Sequence, residues 1–227
     1  MTRLSVRANN VIESARLLDE AAANARAFRY LVEDLNRRAT AAGEELHAEA
    51  LTMVRAAILR AEISAVTAIF DRWGGNRASL GYVVEELKDR NLRKLLTSRR
   101  RQTAIPGKFD ELEQHYEAIY SGPLLERVRR LRNESMAHLL RADSRAPKVQ
   151  YEDIFNLENK AEQLVKVLFD GLGCGEPGFV GHRDMFLDRA GLFWDTYFSG
   201  MREAKTKGGV RVRMLIRELQ HLIDSGQ

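Results

Sequence analysis

The chain has 227 residues, 44% hydrophobic and 30% charged, with a net charge of +4. That is the make-up of a globular protein with one well-packed domain, or one domain and an appendage. A single cysteine, Cys174, excludes an intramolecular disulfide and a cysteine-built metal cluster, and no apolar run approaches membrane-spanning length.

The opening MTRLSVRANN has neither the apolar core nor the cleavage site of a secretory signal, so a cytoplasmic protein is expected. Four prolines interrupt the chain, and apolar residues recur at three- and four-residue spacing, so the expected fold is an all-α antiparallel bundle. The first helix runs from Val11 to Thr40, with Leu17, Leu18, Ala21, Ala25, Phe28, Leu31, Val32 and Leu35 on one face. Gly43 closes it. A second helix, Glu44 to Phe70, carries small residues at Ala50, Ala57, Ala61 and Ala65, and is expected to be the most central. After a loop from Asp71 to Asn76, Ser79 suits the N-cap of a third helix, Leu80 to Ser98. Leu80, Val83, Val84, Leu87, Leu92, Leu95 and Leu96 form its inner face. A short helix follows from Phe109 to Tyr120, and Pro123 opens a fifth that reaches about Arg141.

Tyr151 to Asp170 is a further helix, with Ile154, Leu157, Ala161, Leu164, Val165 and Leu168 inward and Gly171 as its stop. The glycine-rich stretch from Gly171 to Gly178 follows no strand and precedes no Gly-Lys-Ser/Thr, so it reads as a flexible linker rather than a phosphate loop. The tail from His182 is expected to be helical, with a break at Lys205 to Gly209 and a last helix from Val210 to Ile223. The expected division is a bundle over residues 1–175 and a C-terminal helical extension over 176–227, packed on it.

The fifth helix holds the chemistry-bearing stretch, Leu131-Arg132-Asn133-Glu134-Ser135-Met136-Ala137-His138. With Val128 set at zero and ~100° per residue, Leu124, Leu131, Ser135 and Leu139 form the inner stripe. Arg132 falls at about +40°, inside that stripe, where a guanidinium needs a partner or water. His138 falls at about −80°, on the other edge. One helix therefore does not bring the two together, whereas two copies crossing at a two-fold axis could, so a composite dimer site is expected. Glu134, four residues before His138, is placed to orient the imidazole and favour its protonated form. Arg127, Arg130 and Arg141 would offer phosphate a basic rim. Arginine makes up 28 of the 36 basic residues; its planar fork suits phosphate, although a GC-rich genome would give the same bias.

The alternatives are bland. His138 alone would be a surface histidine, and Arg132 could pair with Glu62, which interrupts the apolar run of the second helix. His47, His115, His182 and His221 are scattered. Glu44, Glu45 and His47 suit a helix start as well as a metal. Arg99 to Arg101 could touch an RNA backbone or simply be solvated at a helix end. Trp73 and Trp194 read as core or interface residues. With no His-Glu-x-x-His, Walker loop or Gly-x-Ser-x-Gly, no metal or cofactor is expected.

The Arg132-Asn133 pair, four intervening residues and His138, together with the end of the second helix at Ala65-Val66-Thr67-Ala68-Ile69-Phe70-Asp71 and Ser79-Leu80, resemble the HEPN superfamily. The Leu-Arg-Asn…Ala-His form is most similar to its abortive-infection U-type subgroup, over about residues 10 to 172. The resemblance implies a homodimer and, in catalytic members, metal-independent RNA cleavage by the RNA's own 2′-hydroxyl. His138 would then move protons, Arg132 would stabilise phosphoryl charge and Asn133 would help position the phosphate. It also implies toxin or phage-defence roles, restrained by a partner such as an antitoxin. Some members carry a tyrosine two residues after the histidine, where a partner enzyme modifies it; this chain has Leu140. Other members keep the fold without demonstrated nuclease activity, so the alternative expectation for this chain is a non-catalytic HEPN-like dimer that binds nucleotide, RNA or a protein partner.

Overall fold

The computed structural model describes residues 2–42, 48–72, 77–99, 103–137, 150–181 and 183–206. Every regular element among them is helical, as the periodicity predicts: α1 Arg3–Ala42, α2 Ala48–Ile69, α3 Leu80–Leu87, α4 Arg90–Arg99, α5 Lys108–Tyr120, α6 Pro123–Ala137, α7 Tyr151–Leu172, α8 Gly178–Gly181 and α9 Arg183–Thr206. No described helix is long and apolar enough to cross a membrane. The expected last helix, residues 210–223, lies outside the described residues, as do residues 44–47, 73–76 and 100–102.

Contacts divide the chain into two units that do not follow its linear order. One comprises residues Met1–Arg29 and Leu59–Arg183, the other Tyr30–Ile58 and Asp184–Gln227. A single cut after residue 175 differs from this: α1 and α2 each contribute to both units, and residues 176–183 belong with the first.

In the first unit, α1 begins well before Val11 because Thr2 caps it, its hydroxyl accepting from the Ser5 N–H at 3.3 Å. The resulting seam, Ala8, Val11, Ala15, Leu18, Ala22 and Ala25, is buried and alternates three- and four-residue steps. The expected third helix is two. Ser79 caps α3 through the Tyr82 N–H at 3.3 Å. At Asp89 the chain restarts, its Oδ1 accepting from the Asn91 N–H at 2.9 Å and the Leu92 N–H at 3.4 Å. A side chain that satisfies orphan amides starts a new helix even where the apolar period runs through. Leu80, Val83, Val84, Leu87, Leu92 and Leu96 are buried all the same.

α7 is more buried than α2, half of its 22 residues being buried. It takes all six predicted inner residues, together with Glu158 and Glu162. The small residues of α2 do not make it central, since its first half belongs to the other unit. Gly171 does not end α7. Gly173 does, at φ 66, a left-handed conformation that glycine reaches without a Cβ penalty. The glycine-rich segment is also no flexible linker. The Thr103 hydroxyl donates to the Gly173 carbonyl at 3.2 Å, and Asp19 accepts from the Gly178 and Phe179 amides at 2.8 and 3.1 Å.

The second unit has its own small core of Leu35, Trp194 and Phe198, with Leu31, Val54, Ile58 and Tyr197 packed around it. The Trp194 indole is fully buried and donates to the Leu31 carbonyl at 2.9 Å, the partner a buried indole N–H requires.

Candidate functional site

The site is built where α6 meets the C-terminal end of α2. Pro123 starts α6, Leu125 and Val128 are fully buried, and Leu124 and Leu131 pack against the same core. This fixes the rotation of α6, so Arg129 and Arg132, one turn apart, both reach residues 67–71. The Arg132 Nη1 donates to the Thr67 hydroxyl at 3.3 Å and lies 3.7 Å from the Asp71 Oδ1; its Nε donates to the Asn133 Oδ1 at 3.4 Å. Thr67 is buried, and its own hydroxyl donates to the Ile63 carbonyl at 2.7 Å. That orientation turns the oxygen lone pairs to the guanidinium. The Arg132 side chain is 27% exposed, so the inward position read from the helix angle is met with polar partners and a path to water.

Arg129 reaches the same carboxylate oxygen. Its Nη2 lies 3.8 Å from the Asp71 Oδ1 and donates to the Phe70 carbonyl at 2.9 Å, satisfying a carbonyl left open at the end of α2. The Arg129 guanidinium also lies 4.7 Å from the centre of the Tyr120 ring, and that of Arg72 lies 4.1 Å from it. Arg72 Nη2 is 3.4 Å from the Glu117 Oε2. Gly81 of α3 makes this corner possible, since a Cβ there would stand 2.5 Å from the Asp71 carbonyl oxygen and 2.7 Å from the Tyr116 hydroxyl.

The other sequence candidates are distributed differently. Arg127 pairs with Asp153 in the first turn of α7, its Nη2 donating to Oδ1 at 2.7 Å. That contact, with the Gln150 backbone N–H, holds the Asp153 carboxyl below its ordinary value. Arg130 pairs with Glu126 one turn before it on α6. Both charges are therefore already matched by a carboxylate, unlike the shared arrangement at Asp71. Glu134 lies in α6, and His138 and Arg141 lie outside the described residues. Glu62 is buried and accepts from the Tyr151 hydroxyl at 3.4 Å. Arg99 donates to Asn9 and Ser5 of α1.

The sequence reading passes over Thr67, Asp71 and Arg129 as site residues. Their signal is present: Thr67 and Asp71 are two polar residues four apart, flanking the apolar Ala68-Ile69-Phe70 at a helix end, the spacing that points both along one face. Among the described residues no three His, Cys, Asp or Glu side chains converge as metal ligands.

A second charged cluster lies deep between α1 and α7. Arg26 pairs with Glu162, donates to the Phe179 carbonyl at 3.1 Å and lies over the Phe179 ring. Arg29 stands 3.6 Å from the Glu158 Oε2 and 3.7 Å from the centre of the Phe155 ring. Burial pushes the Glu158 carboxyl up to about 7; Arg29 and Arg26 oppose this, and Glu162 adds to it. Burial raises Glu162 as well, against the pull of Arg26.

Among known families, a HEPN family described as AbiU2 matches residues 10–183, which include both charged clusters and the whole of the Arg132 to His138 stretch. No curated protein and no solved structure matches the chain.

Proposed function

The chain belongs to the AbiU2 family of HEPN domains, and from that premise we propose that it is a metal-independent endoribonuclease. The observation that carries the reading is Arg132, which α6 presents part-exposed while Thr67 of α2 and Asp71, just beyond the end of α2, hold its guanidinium. A planar, pre-oriented cation of this kind suits the charge that grows on phosphoryl oxygens in a transition state. In the reaction, the 2′-oxygen of a ribose bonds to the adjacent phosphorus and the bond from phosphorus to the 5′-oxygen breaks. The 2′-hydroxyl proton leaves to a base, and the 5′-oxygen gains a proton, giving a 2′,3′-cyclic phosphate and a 5′-hydroxyl. His138 is the residue for those transfers, imidazole being effective near neutral pH. Asn133 holds a phosphate oxygen, and Glu134 orients the imidazole.

The angular separation of Arg132 and His138 along one helix supports a homodimer in which each subunit completes the other's site. The biological setting proposed is a cytoplasmic toxin or phage-defence effector, held in check by a partner protein such as an antitoxin. A second reading draws on the same ion pair. If the bond to Asp71 is the whole purpose of Arg132, the chain is a non-catalytic dimer that binds nucleotide, RNA or a protein.

The deciding experiment is cleavage of a mixed RNA pool in EDTA by the wild-type protein, Arg132→Ala and His138→Ala. Cyclic-phosphate ends that vanish in both variants, a fall of about 10²–10³-fold or more for Arg132→Ala, establish the nuclease. Absence of cleavage by a folded wild-type dimer favours the binding module.

A further inference from the structure

We propose that Arg60 and Ser64, on the face of α2 that also carries Thr67, bind the RNA phosphate next to the one gripped by Arg132. The inference rests on the nuclease reading for the identity of the strand, and on charge and geometry for the subsite itself. Arg60, Ser64 and Thr67 follow one another at four- and three-residue steps within α2, which places all three along one side of the helix. Thr67 is the residue whose hydroxyl receives Arg132. Arg60 stands two turns before it, about 10 Å along the axis. That interval is short enough for one strand of RNA to meet both guanidiniums at neighbouring phosphates.

Arg60 is half-buried, and its side chain makes no ion pair or hydrogen bond among the described residues. Every other half-buried arginine or lysine among them stands against a carboxylate, as Arg93 does against Asp110 and Glu113. One turn to either side of Arg60 on α2 are Ala56, Ala57, Ile63 and Ser64, none of them charged. A guanidinium drawn partly out of water without a partner carries a cost, which a bound anion removes. Ser64 has unused capacity of the same kind. Ser14, Thr67 and Thr97 turn their hydroxyls back to the carbonyl four residues earlier, the usual recourse of such a side chain in a helix. The Ser64 hydroxyl, in a half-buried residue, makes no such bond among the described residues and keeps its donor for a ligand oxygen. A guanidinium fork and a hydroxyl one turn apart make a donor set that fits the oxygens of a phosphodiester. An arginine with a buried stem and a head in water would account for Arg60 alone, but leaves its alignment with Ser64 and Thr67 without a reason. By contrast Arg127 and Arg130, the arginines that sequence spacing singles out for RNA, each have a carboxylate of their own.

The test measures binding, by fluorescence anisotropy over a range of salt, of a labelled single-stranded RNA whose 2′-oxygens are methylated. Such a strand cannot be cleaved by internal attack, so the readout does not depend on catalysis. Arg60→Gln is expected to weaken binding about three- to ten-fold and to flatten the salt slope by about 0.7, the loss of one phosphate contact to a single strand. Ser64→Ala removes a neutral donor, so it is expected to weaken binding about two- to five-fold with the slope unchanged. Arg55→Gln, a control at an exposed residue, takes the same charge from the same helix about 140° away. It is expected to change affinity less than about two-fold. Melting midpoints of Arg60→Gln and Ser64→Ala should stay within about 3 °C of the wild type, since neither side chain gives up an internal partner. Unchanged affinity and slope in Arg60→Gln overturn the proposal, as does an equal loss in Arg55→Gln or a failure of the folded wild type to bind. A larger fall in midpoint, or a dimer that dissociates only in Arg60→Gln, also overturns it, by giving the guanidinium a protein partner instead. Binding that depends on Arg60 without any cleavage of ordinary RNA sinks the nuclease reading and leaves the subsite standing. Cleavage that needs Arg132 but binding indifferent to Arg60 does the reverse.

Discussion

Two groups of arginine and carboxylate stand in the same unit and differ in almost everything except composition. Between α1 and α7, Arg26 and Arg29 face Glu162 and Glu158, the latter only 1% exposed. At the end of α2, Arg129 and Arg132 share Asp71, which is 37% exposed. The first cluster is matched two against two and capped by aromatic rings; in the second, two arginines approach one oxygen of a carboxylate that is open to water. Burial, rather than residue type, separates a charge pair that holds helices in register from one that can exchange its partner for a ligand.

Removing one partner should separate the clusters most sharply. Arg26→Ala strands the Glu162 carboxylate and is expected to cost about 3–5 kcal/mol, a fall in melting midpoint of roughly 10 °C. Arg26→Met with Glu162→Leu should recover most of it. Asp71→Asn at the rim should cost no more than about 1 kcal/mol; equal losses from Arg26→Ala and Asp71→Asn in thermal melts would erase the distinction.

Next in size is pH. The Glu158 carboxyl, pushed up to about 7 from its ordinary 4.5, binds its proton more readily in the folded protein than in the unfolded chain. Its contribution to stability is therefore complete below about pH 4.5 and lost as pH rises through about 7. Up to about 3 kcal/mol is at stake. Denaturant midpoints taken from pH 5 to 8 should fall in the wild type and flatten in Glu158→Gln; parallel profiles would show that Glu158 titrates alike in both states.

Backbone approach at the rim comes third. Gly81→Ala drives a methyl against the Asp71 carbonyl and the Tyr116 hydroxyl and should cost about 1–3 kcal/mol. Gly107→Ala, with nothing within 4 Å of its Cβ, should change the midpoint little. The smallest effect expected is Thr67→Val, which keeps the shape and deletes the oxygen that receives Arg132. Cleavage should drop about ten-fold at unchanged stability, a loss of one hydrogen bond to a charged group, and Thr67→Ser should restore it.

Apolar period made the helices legible, and it located the inner faces of α3 and α7 residue by residue, whereas on α1 it found Leu18, Ala25, Val32 and Leu35 but missed Ala8, Val11, Ala15 and Ala22. What it hid were the polar decisions that override it. Thr2 starts α1 early, Asp89 divides an unbroken run of leucines, and Gly173 rather than Gly171 ends α7. Each depends on where a backbone amide finds its partner, which a hydropathy pattern does not record. Glu158 and Glu162 sit four apart within the buried face of α7, a position that looks solvent-facing until Arg26 and Arg29 are brought in from another helix. At the candidate site, the angle of Arg132 on α6 announced that it needed a partner, but not which one. Glu62 was the obvious interruption in α2, whereas Thr67 and Asp71 lie closer to the helix end and read as ordinary boundary residues.

The small core around Trp194 has a consequence for how the chain is made. Its indole meets the Leu31 carbonyl across 163 residues of sequence, and Leu35, Val54 and Ile58 belong to the same cluster. A ribosome adding about 5–20 residues per second leaves those side chains without Trp194 for roughly ten to thirty seconds. During that interval the halves of α1 and α2 that carry them present bare apolar surface to the cell. The later arrival of α9 therefore sets the earliest moment at which that apolar surface can be covered.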